Sequence, residues 1–228
     1  ATRPEIEQIL ISNSKGVDEE TFERELYVIR RRIEKAALAA QAPQLYIASL
    51  SCRSIIYKGM MLAEQVAEFY PDLMDERFES AFAIYHQRYS TNRAGRNAPM
   101  AKTMLVPESW SKQAVELPQA WRDMYSYCNS VIEPWDGPAA LAMTDGRWVC
   151  AGLDRNGLRP MRYVVTNDGM VIAGSEAGMV PLDESRIVRK GALGPGQLLA
   201  VDMTEGKLFD DSQIKDQLAA SQPFGDWV

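Results

Sequence analysis

The sequence predicts an α+β fold, and three observations lead to that class. Residues 18–40 combine an aspartate that suits an N-cap, acidic first turns and apolar side chains at helical spacing. Residues 139–152 consist of two short apolar runs joined by Asp145-Gly146, which is a strong signal for a β-hairpin. Residues 161–173 repeat that pattern around Asn167-Asp168-Gly169. Amphipathic helices combined with a hairpin-rich half are typical of α+β domains.

The first half of the chain contains the patterns of two helices and three short strands. In order, they are a helix over 18–40, strands over 45–50 and 55–57, a helix over 60–70 and a strand over 82–87. The polar stretch Ser51–Ser54 separates the first two strands. Pro71 ends the second helix because proline has no backbone N–H to donate.

The second half begins with a helix over 119–132 that carries an apolar face of Trp121, Met124, Tyr125 and Cys128. The two hairpins follow, and a further β pair is predicted over 198–202 and 206–209. No glycine-rich loop opens a helix after a strand, so neither a dinucleotide site nor a P-loop is indicated.

The composition is that of a globular protein of 228 residues with 46% apolar and 25% charged side chains. The net charge is −6 and the basic residues are dispersed, which argues against a nucleic-acid partner. No apolar run approaches the length of a membrane span, and no signal peptide is expected. We therefore expect a cytoplasmic protein without a membrane partner.

The cysteine and histidine counts exclude several kinds of site. Cys52, Cys128 and Cys150 are widely spaced, so no zinc or iron–sulfur site is expected in this chain. His86 is the only histidine, which excludes motifs built on two histidines. Arg53 lies next to Cys52, and a neighbouring cation lowers a thiol pKa, but a small buried thiol is the better interpretation.

Residues 86–92 read His-Gln-Arg-Tyr-Ser-Thr-Asn and follow the apolar, strand-like run of residues 82–85. The planar guanidinium of Arg88 suits a carboxylate ligand. From these residues alone, a surface ion pair is the commoner role for such an arginine.

In residues 154–160, turn geometry accounts for Asn156-Gly157 and Pro160, and the charged residues there favour a structural ion-pair network between the hairpins.

Four motifs stand out along the chain, and they are residues 49–59, 86–92, 133–140 and 154–160. Together, and in the same order, they strongly resemble the amidotransferase domain of the large subunit of bacterial glutamate synthase, a class II glutamine amidotransferase. The resemblance covers essentially the whole chain. It implies a four-layer αββα N-terminal-nucleophile sandwich, incomplete in this chain, in which the hairpins belong to one of two sheets.

The resemblance also implies a reaction. In the family, an N-terminal cysteine attacks the side-chain amide of glutamine, and preorganised donors hold the oxyanion. The ammonia serves the reductive amination of 2-oxoglutarate in another domain, and the complete enzyme uses FMN, an iron–sulfur cluster and a small NADPH-dependent subunit. Arg88 matches the arginine that holds the carboxylate of glutamine, Thr91 matches a neighbouring substrate contact, and Tyr89 and Asn92 match the motif by position.

The chain departs from the family pattern in two places. The nucleophilic cysteine would precede Ala1, and the Asn-Gly segment of the oxyanion hole and a substrate-binding aspartate would lie between Asn92 and Arg93. We therefore expect residues 1–228 to be part of a single amidotransferase domain with no catalytic residue of its own and no glutaminase activity. The gap is explained by omitted disordered segments, by engineering or by natural deletion. A non-catalytic remnant and another class II amidotransferase stay open as alternatives.

Overall fold

The computed structural model describes residues 5–42, 44–59, 61–85, 117–131 and 137–228. The chain divides after Phe78 into two compact units. Each unit has its own secondary structure, and both the helices and the antiparallel sheets expected of an α+β protein are present. The four-layer sandwich stays a prediction.

The first unit contains the long helix predicted from the sequence. Helix α1 spans Glu19–Ala39, and it begins where the Asp18 carboxylate accepts a hydrogen bond of 3.0 Å from the Thr21 N–H. That bond satisfies one of the backbone donors that have no partner within the first turn. Glu19 and Glu20 add negative charge where the helix dipole favours it. The predicted N-cap is therefore confirmed.

The second predicted helix is shorter than expected. Helix α2 spans Gln65–Phe69, and a 3₁₀ helix follows over Pro71–Met74. The side-chain oxygen of Gln65 accepts a 2.9 Å hydrogen bond from the Leu62 N–H just before α2 begins. Pro71 then supplies no donor to continue it. The prediction over 60–70 was therefore too long at its beginning.

The strands predicted over 45–50 and 55–57 are wrong, and residues 82–85 are not a strand either; residues 86 and 87 lie outside the described part. A strand persists only where a neighbour completes its ladder of backbone hydrogen bonds. In the first unit, side-chain oxygens accept backbone hydrogen bonds that a neighbouring strand would otherwise accept. The Ile56 N–H donates to Ser49 Oγ at 3.0 Å, and the Cys52 N–H donates to Glu23 Oε2 at 2.9 Å.

The first unit has little core of its own. Among its described residues, Leu26 and Tyr70 are the buried apolar side chains, 3% and 8% exposed. The Tyr70 hydroxyl donates to the Lys58 carbonyl at 2.5 Å, and its ring lies edge-on to Tyr57 at 4.7 Å between centroids. Partial burial and the Asp72 carboxylate raise the pKa of Tyr57 to about 12.

The second unit contains three predicted strand pairs and two elements that were not predicted. Its elements are α3 (Gln119–Val131), β1 (Ala140–Thr144), β2 (Trp148–Leu153), β3 (Arg162–Thr166), β4 (Val171–Gly174), β5 (Ile187–Ala192), β6 (Leu198–Asp202), β7 (Lys207–Phe209) and α4 (Asp211–Ala219). Short 3₁₀ helices occupy Glu184–Arg186 and Phe224–Asp226. The predicted hairpins are β1–β2, β3–β4 and β6–β7, and all three are confirmed. Strand β5 and helix α4 were not predicted.

Two antiparallel sheets organise the second unit. The larger has the strand order β1-β2-β6-β7, and the smaller has the order β4-β3-β5. In the larger sheet, one cross-strand row runs through all four strands and consists of Met143, Cys150, Ala200 and Phe209. These side chains pack in one cluster with Ile214 of α4, so the helix covers this face of the sheet.

Helix α3 also packs against α4. Met124, Tyr125 and Cys128 form a buried cluster with Ala219 and Phe224. This confirms the apolar face that helical spacing predicted for α3. In the smaller sheet, the ring of Tyr163 lies directly over its cross-strand partner Gly191, where a side chain on residue 191 would overlap the ring.

Candidate functional site

The four residues that the resemblance assigns to substrate binding lie outside the described part of the chain. They are Arg88, Tyr89, Thr91 and Asn92, all within residues 86–116. Residues 133–136 of the third motif lie outside it as well. The other two motifs, residues 49–59 and 154–160, are described in full. Their contacts make up the described part of the candidate site.

The first motif is attached to the beginning of α1. Glu23 Oε2 accepts a hydrogen bond of 2.9 Å from the Cys52 N–H and one of 3.2 Å from the Cys52 thiol. Arg53 Nε donates to Glu19 Oε1 at 2.6 Å. Two carboxylates one helical turn apart therefore hold the polar stretch Ser51–Ser54 against the helix.

The expectation of a buried thiol at Cys52 is wrong, because the residue is exposed. Its partial desolvation, and then the hydrogen bond to the Glu23 carboxylate, raise the pKa of Cys52 above its ordinary value. Arg53 pairs with Glu19 and does not outweigh them. The thiol therefore stays protonated at neutral pH and lacks the thiolate character of a reactive cysteine. Cys128 is buried in the core, as predicted, and Cys150 packs beside a second cluster, where burial raises its pKa to about 11.

Replacing Glu23 by glutamine tests this assignment. Glu23→Gln keeps the size of the side chain and removes its charge, so the pKa of Cys52 falls and the thiolate fraction rises. We expect iodoacetamide to alkylate Cys52 several-fold faster at pH 7.5, measured by peptide mass spectrometry. Glu34→Gln removes one charge from the same helix next to Arg30 and Arg31, and it serves as the control. An equal rate in both variants contradicts the assignment.

The second motif is organised around a buried carboxylate. Asp154 is 1% exposed, and its oxygens accept hydrogen bonds from the N–H groups of Ala139 at 3.0 Å and Asn156 at 2.9 Å. Its own N–H donates to the Ala139 carbonyl at 3.1 Å. Ala139 belongs to the third motif, so Asp154 joins two of the four motifs. The described bonds of Asp154 go to backbone groups, which gives it a structural role, whereas the ion-pair network predicted for this turn stays a prediction.

The Asp154 turn also rests against the loop of residues 194–197. The Gly196 N–H donates to the Asp154 carbonyl at 2.9 Å. Gly157 has a φ of +58°, and a Cβ at that position would lie 2.8 Å from Pro195 Cα. The glycine therefore supplies both the left-handed backbone and the space for the loop.

A lysine from α4 fixes the far side of that loop. Lys215 is 8% exposed, and its Nζ donates to the Gly196 carbonyl at 2.9 Å and pairs with Asp211 at 2.8 Å. Asp211 in turn accepts a 2.8 Å hydrogen bond from the Leu198 N–H. The charge of Lys215 is thus compensated inside the unit, as a buried charge requires. Sequence reasoning missed this lysine because α4 itself was not predicted.

The Asp154 carboxylate is suited to holding its turn in place and not to acid–base chemistry. Burial by itself would raise its pKa, but the backbone donors of Ala139 and Asn156 outweigh burial and lower the pKa below its ordinary value. The group therefore stays ionised and bonded at neutral pH. Leu158 and Arg159 lie on the outer side of the same turn and are exposed.

Within the described ranges, no three histidine, cysteine, aspartate or glutamate side chains are close enough to hold a metal ion. In the same part of the chain, every helix is too short or too polar to cross a lipid bilayer.

Comparison with known proteins gives a consistent result over the whole chain. The sequence matches the family "Glutamine amidotransferases class-II" in two segments, residues 1–95 and 93–227. It is 48% identical over 299 residues to the "Glutamate synthase [NADPH] large chain" of Azospirillum brasilense. That alignment covers 100% of this chain and 20% of the relative. It is 32% identical over 297 residues to the protein of the same name from Bacillus subtilis, covering 99% of this chain and 19% of the relative.

A third relative has a different electron donor in its name. The chain is 35% identical over 302 residues to the "Ferredoxin-dependent glutamate synthase, chloroplastic" of Spinacia oleracea, with 100% of this chain and 19% of the relative covered. The chain thus spans about a fifth of the length of the relatives it matches. In addition, the 299 residues aligned with the Azospirillum relative exceed the 228 residues of this chain by 71.

Proposed function

The chain belongs to the class II glutamine amidotransferases, and from that membership we propose that it is the glutaminase portion of a glutamate synthase large chain. The observation that carries the proposal is the 48% identity to a glutamate synthase large chain, which extends over 100% of this sequence. In the complete protein, this portion would hydrolyse glutamine to glutamate and ammonia. The ammonia would then serve the reductive amination of 2-oxoglutarate in another domain.

The partners follow from the same proposal. The remaining domains of the large chain are the first, because the relatives are about five times longer than the stretch they share with this chain. Those domains would hold the FMN and the iron–sulfur cluster, since the cysteines of this chain are dispersed. A small NADPH-dependent subunit would deliver electrons, in keeping with the names of the two bacterial relatives. We place the assembly in the cytoplasm.

Within the glutamine site, we assign the substrate carboxylate to Arg88 and a neighbouring contact to Thr91, with Tyr89 and Asn92 beside them. A guanidinium offers two parallel N–H donors to a carboxylate, which combines charge with fixed geometry.

Replacing Arg88 by lysine in the complete enzyme tests that assignment. Lysine keeps the charge and loses the paired donors, so we expect KM for glutamine to rise at least about tenfold, with a smaller effect on kcat. Arg77→Lys is the matched control, because Arg77 pairs with Asp75 at an exposed position. Initial rates of ammonia release give both constants. An unchanged KM in Arg88→Lys would assign Arg88 to a structural ion pair.

The 228-residue chain by itself is proposed to have no glutaminase activity. The family match is interrupted beside Asn92, and the aligned region of the Azospirillum relative is 71 residues longer than this chain. That interruption supports the assignment of a missing segment between Asn92 and Arg93. It also favours a second candidate function, a non-catalytic remnant that keeps a ligand or subunit contact.

The complete protein from its natural source distinguishes the two candidates. We expect an intact mass well above the 25.5 kDa of this chain, and ammonia release from glutamine that is coupled to glutamate formation from 2-oxoglutarate. A natural protein with a mass near 25.5 kDa and no turnover would favour the remnant. Glutamine-dependent transfer to a different acceptor would contradict the assignment to glutamate synthase.

A further inference from the structure

Asn156-Gly157 is the only asparagine–glycine pair in the sequence, and Asn156 is exposed. Such a pair is prone to spontaneous deamidation, because glycine has no side chain to shield its backbone nitrogen. The nitrogen of Gly157 attacks the side-chain carbonyl carbon of Asn156 and loses its proton, and the amide group leaves as ammonia. Water then opens the resulting cyclic imide to give aspartate or isoaspartate, so the reaction requires no oxidant and no cofactor.

The hydrogen bonds of the Asp154 turn hold both reacting groups. The Gly157 N–H donates to the Asp154 carbonyl at 3.1 Å, so the proton that must leave is bound to an acceptor. The Asn156 N–H donates to Asp154 Oδ2 at 2.9 Å, which fixes the backbone from which the Asn156 side chain extends. Both the nucleophile and the group it attacks are therefore restrained by one residue.

The charge of Asp154 opposes the reaction as well. Burial raises the pKa of Asp154, but hydrogen bonds from the Ala139 N–H, the Asn156 N–H and the Asn156 side chain lower the pKa below its ordinary value. The ionised carboxylate is bonded to the residue that precedes the Gly157 nitrogen. It therefore disfavours the negative charge that this nitrogen develops during the attack.

A neighbouring loop opposes rotation of the turn. A Cβ on Gly157 would lie 2.8 Å from Pro195 Cα, so the glycine backbone packs directly against the proline. The Gly196 N–H donates to the same Asp154 carbonyl at 2.9 Å, and the buried Lys215 Nζ donates to the Gly196 carbonyl at 2.9 Å. Ring closure requires the glycine nitrogen to move toward the asparagine side chain, and that movement breaks these contacts.

We propose that Asn156 is a deamidation site that the Asp154 turn keeps closed in the folded protein, and that its conversion follows local opening of the turn. The product does not rebuild the turn. Aspartate at position 156 places a second carboxylate next to buried Asp154, and the like charges repel. Isoaspartate carries the backbone through the side chain and lengthens the turn by a methylene group. Either product weakens the bond from Ala139 to Asp154, which joins the third and fourth motifs.

The test compares the folded 228-residue chain with a synthetic peptide of residues 151–162, both incubated at mildly alkaline pH. Peptide mass spectrometry after acidic digestion measures the converted fraction of Asn156, and chromatography separates the aspartate and isoaspartate products. We expect the folded chain to react at least about tenfold more slowly than the peptide, because the reaction requires opening of the turn. The same chain in urea is expected to react as fast as the peptide.

Variants of the carboxylate locate the protection. Asp154→Ala is expected to raise the rate in the folded chain at least about fivefold, because the Ala139 and Asn156 N–H groups lose their acceptor. Asp154→Asn keeps one acceptor oxygen, so it disturbs the fold less, and we expect at least about a twofold rise. Gly206→Ala is the control, because a Cβ there meets no atom within 4 Å and lies outside the turn. We expect the control to react at the wild-type rate, and circular dichroism verifies that each variant is folded.

Three outcomes overturn the proposal. The first is a peptide that does not deamidate, which would show that Asn156 is not a reactive site. The second is a folded chain that reacts as fast as the peptide, which would show that the turn gives no protection. The third is a rate in the folded Asp154 variants equal to that of Gly206→Ala, which would remove the carboxylate from the explanation. None of these outcomes involves glutamine, so this proposal and the proposed function fail separately.

Discussion

Gly157→Ala is expected to lower the free energy of unfolding by about 3 kcal/mol. The native φ of +58° costs a non-glycine residue roughly 1–2 kcal/mol, and forced overlap in a packed site adds roughly 1–3 kcal/mol. The overlap is with backbone as well as side chain, because the new Cβ would lie 2.8 Å from Pro195 Cα and 2.9 Å from its nitrogen. The loop of residues 194–197 would have to move away from the Asp154 turn.

Gly206→Ala is the matched control for that prediction. Gly206 has a φ of +61°, nearly the same as Gly157, and a Cβ there meets no atom within 4 Å. Only the backbone cost of about 1–2 kcal/mol is therefore expected. Urea denaturation of both variants gives the difference. Equal losses of stability would show that Pro195 yields freely and that the turn and the loop are not interlocked.

Asp154→Ala is expected to destabilise the protein by about 3 kcal/mol, because each hydrogen bond to a buried charged acceptor contributes roughly 1.5–3 kcal/mol. The alanine leaves the N–H groups of Ala139 and Asn156 without their acceptor. In a unit of this size, such a loss corresponds to a fall in Tm of about 6–12 °C. Asp154→Asn keeps one acceptor oxygen, so we expect it to lower the stability less than Asp154→Ala does.

Asp168→Ala provides the control, since the Asp168 side chain is 49% exposed and pairs with Arg186 at the surface. Exposed pairs contribute about 0–1 kcal/mol. The pH dependence separates the two aspartates further. The pKa of Asp154 is lowered by folding, so its contribution is present above the ordinary carboxyl pKa and is lost as the pH falls through the lower folded value. The stability difference between wild type and Asp154→Ala should therefore shrink on acidification below about pH 4. A constant difference would contradict the role of the ionised carboxylate.

The elements that sequence patterns predicted correctly are those with local signals. Helix α1 has its N-cap at Asp18, and the β1–β2 hairpin has Asp145-Gly146 at its turn, where Gly146 has a φ of +94°. Helix α4 had a readable signal as well. Asp210 and Gln213 form a reciprocal capping box, a spacing that the sequence displays.

The remaining elements depend on contacts that a sequence pattern does not display. Strand β5 lacks alternation, because Val188 is 64% exposed beside the charged Arg189 and Lys190. The strands predicted over 45–50 and 55–57 have the right pattern, but no neighbouring strand pairs with them in the described structure. A periodic pattern indicates a preference for strand structure, and a strand forms only where a neighbouring strand pairs with it.

The site shows the same division between local and distant information. The turn around Asn156-Gly157 was predicted from residue types, and the positive φ of Gly157 agrees with it. The bond from the Ala139 N–H to Asp154 joins residues 15 positions apart. The Lys215 bond to the Gly196 carbonyl spans 19 positions. Neither hydrogen bond can be predicted from the sequence pattern, because each joins residues that only the fold brings together. Residue type alone suggested a carboxylate ligand for Arg88, whereas Thr91 rested on the resemblance.

Ammonia release from glutamine by the purified 228-residue chain tests the central claim most directly. Its mass is first verified as 25.5 kDa, so that no additional segment contributes. The chain belongs to the class II glutamine amidotransferases, and we propose that the family's oxyanion segment is missing between Asn92 and Arg93, so we expect no release above a protein-free blank. The complete domain of the Azospirillum relative is the positive control. Glutamine-dependent ammonia release by the 25.5 kDa chain, abolished by Arg88→Ala, would contradict the account.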